Sequence, residues 1–200
     1  MLHLLLVAFW LAAPSTPEPL VDAVEVVPDL VLDIRYATEN NFTGRKLYDE
    51  ARCLLRPAVA AKLAKAQALL KPQGYRLVVF DCYRPFSIQK KLWDLVPVLG
   101  LVAPPSTGGS KHNRAAAVDA SLVGLDGSPV EMPTDYDDFG KAARINSKLP
   151  TPAAQLHRTV LQDAMVRSGF KLMFMEWWHF DDADALRYPV LDVPIASIAR

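Results

Sequence analysis

From Arg56 to Lys71 the apolar residues Val59, Leu63, Ala66 and Leu70 recur at three-and-four spacing behind Pro57, which suits a first helical position. The pattern predicts a helix with one buried stripe, ended by Gly74. Tyr75 to Asp81 then carries Leu77, Val78, Val79 and Phe80 without interruption, as a buried strand does. Ser87 to Leu95 reads as a second helix closed by Pro97, and Pro104 to Gly109 has loop composition. Ala116 to Val123 reads as a strand that turns at Gly124 to Gly127 and returns through Pro129 to Met132 as a hairpin. Thr151 and Pro152 open a further helix, with Leu156, Val160, Leu161, Ala164 and Met165 as its apolar face and Gly169 as its stop. Phe170 to Phe180, dense in large apolar residues, is expected to be one central strand. Helices followed by strands that pair as hairpins predict an α+β fold with a mainly antiparallel sheet packed with helices.

The first residues change the picture. Met1 to Ala13 is apolar almost throughout and Pro14 to Pro19 is rich in proline and small polar residues, so residues 1–16 read as a signal peptide and linker ahead of a single domain over 21–200. No Lys or Arg precedes the apolar run, and a buried N-terminal segment is the alternative. The run is too short for a stable membrane span, which takes about 20 apolar residues. Export would put the protein in the periplasm or outside the cell. The two cysteines, Cys53 and Cys82, exclude a four-cysteine zinc site and are read either as one disulfide in an exported chain or as two buried thiols. With 22 basic and 22 acidic side chains there is no basic field to hold nucleic acid.

Two histidines stand in chemically loaded surroundings: His112 lies seven residues before Asp119, and His179 three after Glu176. Two imidazoles and one carboxylate supply the three protein ligands of a catalytic zinc, leaving a second carboxylate to act on the attacking water. Asp119 sits in an apolar strand where an unpaired charge is costly, so it needs either a metal or a salt bridge to Arg114 or Arg84. An odd separation along a straight strand would send Glu176 and His179 to opposite faces, so an irregularity is expected at Glu176 to Trp178. Arg84, stiffened by Pro85, could face a substrate oxygen or pair structurally with Asp81 or Glu176. His157 lies mid-helix and is left out.

Taken in order, Tyr83-Arg84-Pro85, Ser110-x-His112-x-x-Ala115-x-Ala117-x-Asp119 and Glu176-x-Trp178-His179 resemble the D-alanyl-D-alanine dipeptidases of the vancomycin-resistance type. Asp33-Ile34-Arg35-Tyr36-Ala37, Asn41-Phe42-Thr43-Gly44 and Met132-x-Thr134-x-Tyr136-Asp137 extend the likeness from about Val21 to nearly the end. The resemblance implies the hedgehog/D-Ala-D-Ala peptidase fold and one Zn²⁺ per chain held by His112, Asp119 and His179. It also implies Glu176 as general base, Arg84 as the oxyanion partner, Ser110 as a substrate contact, and Asp137, or Asp138 one residue on, as acceptor of the dipeptide's ammonium. The implied activity is hydrolysis of D-Ala-D-Ala or a related small dipeptide in peptidoglycan metabolism. The rivals are a D,D-carboxypeptidase or L-Ala-D-Glu endopeptidase of the same fold, and a zinc-stabilised binding module without turnover. Ala115 departs from the family's glycine, which matters if the backbone there needs a positive φ.

Overall fold

The computed structural model describes residues 18–199, so the expected signal segment lies outside the described residues. Its strands are β1 (Val21–Asp22), β2 (Val31–Leu32), β3 (Leu54–Leu55), β4 (Tyr75–Asp81), β5 (Ala117–Gly124), β6 (Phe170–Met173) and β7 (Glu176–Asp182). Its α-helices are α1 (Ala23–Val26), α2 (Pro57–Leu70), α3 (Phe86–Leu95) and α4 (Pro152–Arg167). The main sheet runs β2-β4-β5-β7-β6, antiparallel except where β2 joins β4, and β1 pairs separately with β3. The fold is α+β, as expected, with α2 and α4 packed on each other and on the sheet.

The helices follow local rules. Pro57 opens α2, whose Val59, Leu63, Ala66 and Leu70 are fully buried. Thr151 caps α4 by accepting from the Ala154 N–H, and Gly169 ends it at φ 104°. The second half of α4 buries Leu161, Ala164 and Met165 as expected, but in its first half Ala154 and Arg158 point inward and Leu156 is 61% exposed. Arg158 is admitted because its guanidinium donates to the carbonyls of Arg144 and Ser147.

Two expectations are corrected. Phe170 to Phe180 is not one central strand but a hairpin, with β6 at the sheet edge and the turn at Phe174 and Met175. The return of β5 through Pro129 to Met132 shrinks to one bridge between Val123 and Pro129. Proline has no N–H to continue a ladder, and β5 is already flanked by β4 along its length and by β7 up to Asp119.

Two bulges shape the end of the sheet where chemistry gathers. In β4, Val79 pairs with Ala120 but Asp81 with Asp119, so Phe80 is an extra residue. Paired residues share a face, and the bulge therefore turns Asp81 to the side of Asp119. In β7, Leu172 pairs with Phe180 but Met173 with Glu176, leaving Trp177, Trp178 and His179 unpaired on the β6 side. This is the irregularity expected near Glu176. Cys53 and Cys82 form a disulfide that ties the start of β3 to the end of β4.

Candidate active site

His112 stands on a 3₁₀ turn, Lys111–Arg114, entered through a capping box between Ser110 and Asn113 and left through Ala115 at φ 55°. That left-handed exit lets the chain turn at once into β5, which carries Asp119. Asp119 faces His179 across the β5–β7 ladder. His112 Nε2, Asp119 Oδ1 and His179 Nδ1 lie 3.3, 2.9 and 3.2 Å apart in sequence around the triangle, all three residues buried.

The outward atoms of all three groups are spoken for. His112 Nδ1 donates to the Cys82 carbonyl at 2.6 Å, so its Nε2 presents a lone pair to the cluster. His179 Nε2 donates to Asp181 at 2.9 Å, and Asp119 Oδ2 accepts from the Tyr136 hydroxyl at 2.8 Å. Burial, then the Asp119 charge, raises the Tyr136 phenol far above its ordinary range, so it stays a donor. Burial alone would raise Asp119, but the His112 and His179 imidazoles hold it well below the usual carboxylate range. Burial disfavours a charged His179, yet its hydrogen bonds to Asp119 and Asp181 outweigh this and hold it at about 10. Lone pairs packed this closely need a cation or a shared proton between them. Tetrahedral ligands about 2.0–2.1 Å from a metal lie about 3.3 Å from one another, close to the observed spacings, and each imidazole is oriented from behind as metal ligands are. The donor set fits a metal.

Beside this cluster lies a cavity of about 210 Å³. Glu176 enters it with Oε2 3.9 Å from His179 Nδ1, and burial pushes its carboxyl up to about 6 against the opposing His179 imidazole. Arg84 lines the same cavity. It does form the structural ion pair with Asp81, through Nε and Nη2 at 3.0 and 2.6 Å, and Nη1 donates to Gln89 at 2.9 Å. Those bonds use three of its five N–H groups and leave one on each terminal nitrogen. Asp119 pairs with neither Arg114 nor Arg84; its partners among the described residues are His112, His179 and Tyr136.

Ser110 lines the cavity, its Oγ accepting from the His112 N–H at 3.3 Å. Asp137 also lines it, at φ 62°, a conformation aspartate tolerates better than most residues. Burial, then the Asp119 charge, pushes Asp137 up to about 8 against the pull of Arg84. Asp138 is exposed and accepts from the Gly140 N–H, so of the two candidates Asp137 faces the cavity. His157 is outside it, bonded to the Glu131 carbonyl. Sequence reasoning named Asp81 only as a partner for Arg84, and missed the parts played by Gln89, Tyr136 and Asp181. Only Asp181, two positions along the same strand from His179, left a readable signal.

Two imidazoles and a carboxylate around one point, with a half-buried second carboxylate and an arginine in the same cavity, define the site of a hydrolytic metalloenzyme. The family model for M15 peptidases, described as D-ala-D-ala dipeptidase, matches residues 17–198, and the chain belongs to that family. It is similar to a D-alanyl-D-alanine dipeptidase of Escherichia coli (strain K12), 36% identical over 177 residues that cover 88% of this chain and 91% of the relative. D-alanyl-D-alanine dipeptidases of Enterococcus faecium and Enterococcus faecalis (strain ATCC 700802 / V583) are 30% and 29% identical, over 78% and 74% of this chain and 87% and 83% of theirs.

Proposed function

We propose that this metallopeptidase hydrolyses D-Ala-D-Ala or a closely related dipeptide, with one Zn²⁺ held by His112, Asp119 and His179. The observation that carries the reading is that Glu176 and Arg84 share one small cavity with the three ligand atoms. A structural zinc would need neither. When bound, zinc supplies Lewis acidity that polarises the scissile carbonyl and lowers the pKa of the attacking water. Glu176, poised near neutrality, takes the water's proton and passes it to the leaving amine. The two unspent N–H groups of Arg84 stabilise the oxygen on which negative charge develops.

Asp137 receives the substrate ammonium, and Ser110 donates its hydroxyl proton to the substrate. Phe42, Phe139 and Trp178 wall the cavity and shield the reacting groups from water. The likeness to D-alanyl-D-alanine dipeptidases over most of the chain supports a dipeptide with both ends free over a longer wall peptide.

The apolar N-terminal run and the Cys53–Cys82 disulfide both support an oxidising location, the periplasm or the exterior, where wall turnover releases such dipeptides. Among the described residues no helix is long and apolar enough to cross a membrane.

The test is zinc content measured together with chelator-sensitive release of D-alanine from D-Ala-D-Ala and from a wall pentapeptide. Release from the dipeptide, and little from the pentapeptide, is expected. Preference for the pentapeptide would favour a carboxypeptidase, and bound zinc without turnover of either would leave a binding module.

A further inference from the structure

The two candidate ligand imidazoles are held from behind by different chemistry. His112 Nδ1 donates to a neutral backbone carbonyl, that of Cys82, at 2.6 Å, and the Asp81 carboxylate stands 3.7 Å from it, beyond hydrogen-bond distance. His179 donates instead to a carboxylate, Asp181 Oδ1, at 2.9 Å. The other oxygen of Asp181 lies 3.4 Å from Lys111 Nζ, and Lys111 immediately precedes His112. One carboxylate thus grips the outer nitrogen of one ligand and, through a lysine, touches the turn that carries the other. Asp181 is fixed in place by the sheet, opposite Ala117 on β5 and Lys171 on β6.

We infer that Asp181 is a positioning residue for the metal: it keeps the His179 proton on Nε2, aims the Nδ1 lone pair into the cluster and strengthens it as a donor. The inference rests on the reading that the cluster holds a metal. A carboxylate behind a ligating histidine raises the ligand's basicity, and its loss weakens metal binding about 10–100-fold. The contact to Lys111 is a different matter. Its ammonium is partly exposed, and exposed ion pairs contribute little. Lys111 therefore tethers without tuning, and the effect of Asp181 runs through the imidazole.

Zinc dissociation constants, measured by competition with a chromophoric chelator, separate these roles, with circular dichroism as the check on folding. Asp181→Ala is expected to weaken zinc about 10–100-fold. Asp181→Asn, whose amide oxygen still accepts from Nε2, should lose less. Lys111→Met should stay within about 5-fold of the parent, the scale of an exposed ion pair. Parent affinity in Asp181→Ala overturns the inference, as does a loss in Lys111→Met equal to that in Asp181→Ala. Should the alanine variant not fold, asparagine decides, and parent affinity there overturns it. A parent protein that takes up no zinc sinks the functional reading instead, so the two failures are distinguishable.

Discussion

Asp119 and His179 are direct partners across the β5–β7 ladder, and their side chains meet at 2.9 Å on the same face. Sheet register therefore sets this pair, while the short turn at Lys111–Arg114 brings His112 to it. Since outer partners of metal ligands are already worth about 10–100-fold, Asp119→Asn is expected to lose metal by more than about 100-fold while keeping the fold. Metal content after dialysis, with far-UV circular dichroism alongside, checks this. Full occupancy in the variant would remove Asp119 from the ligand set.

Glu176 touches the cluster only at its edge, 3.9 Å from His179 Nδ1. Glu176→Gln keeps the shape of the side chain and removes its basicity. It should retain zinc yet turn over D-Ala-D-Ala at least about 100-fold more slowly, the scale of general-base loss. A variant that works at the parent rate excludes Glu176 as the base.

Ala115 does occupy the left-handed region, at φ 55° and ψ 37°, and is fully buried. The strain costs about 1–2 kcal/mol against glycine. Alanine recovers about 0.4–1 kcal/mol by restricting the unfolded chain and about 0.8 kcal/mol by burying its methyl group. These nearly cancel, which explains how the chain carries alanine at this turn. Ala115→Gly should shift unfolding free energy by less than about 1 kcal/mol with metal content unchanged. Ala115→Val adds a β-branch to a buried left-handed residue and should destabilise by more than about 2 kcal/mol. Urea denaturation measures both, and a strongly stabilised glycine variant would contradict the balance.

The parts of this fold that were legible in sequence are those decided locally. Pro57, Thr151 and Gly169 bound their helices by rules that act within one turn, and the apolar run of β4 needed no partner to be seen. The β6–β7 turn was invisible because Phe174 and Met175 carry no glycine, proline or asparagine signal and sit among aromatic residues on both sides. The first half of α4 was misjudged because Arg158 faces inward, and its burial depends on carbonyls 14 and 11 residues away. His112, Asp119 and His179 could be proposed from residue type and spacing, and they do converge. Two of the groups behind them, the Cys82 carbonyl and Tyr136, are chosen by tertiary contact, 30 and 17 residues away, whereas Asp181 and the Asp81 and Gln89 that support the guanidinium lie within five residues of the groups they hold.

Cys82 supplies both a disulfide sulfur and the carbonyl that orients His112. A loop closed over 29 residues restricts the unfolded chain by about 3–4 kcal/mol in the chain-entropy account. Cys53→Ser with Cys82→Ser should lower stability by roughly that amount, and a reducing agent should do the same to the parent. Thermal unfolding of both proteins with and without reductant tests it, and a parent indifferent to reductant argues that the bridge does not form.

Asp137 makes the metal-free protein sensitive to alkali. Its folded pKa, about 8, lies above its ordinary 3.8, so between those values the folded state binds more protons than the unfolded one. The stabilisation is complete below about pH 4 and is lost as pH rises through about 8. Glu176, at about 6 against 4.5, has the same sign over a narrower window that closes earlier. The metal-free protein should therefore become less stable from pH 5 to pH 9. Asp137→Asn, which removes the titrating group and keeps a residue type at home at positive φ, should flatten that slope and exceed the parent in stability near pH 8. Urea midpoints of the chelator-treated proteins across this range measure the effect, and equal slopes in parent and variant would show that Asp137 is ionised in the folded protein throughout.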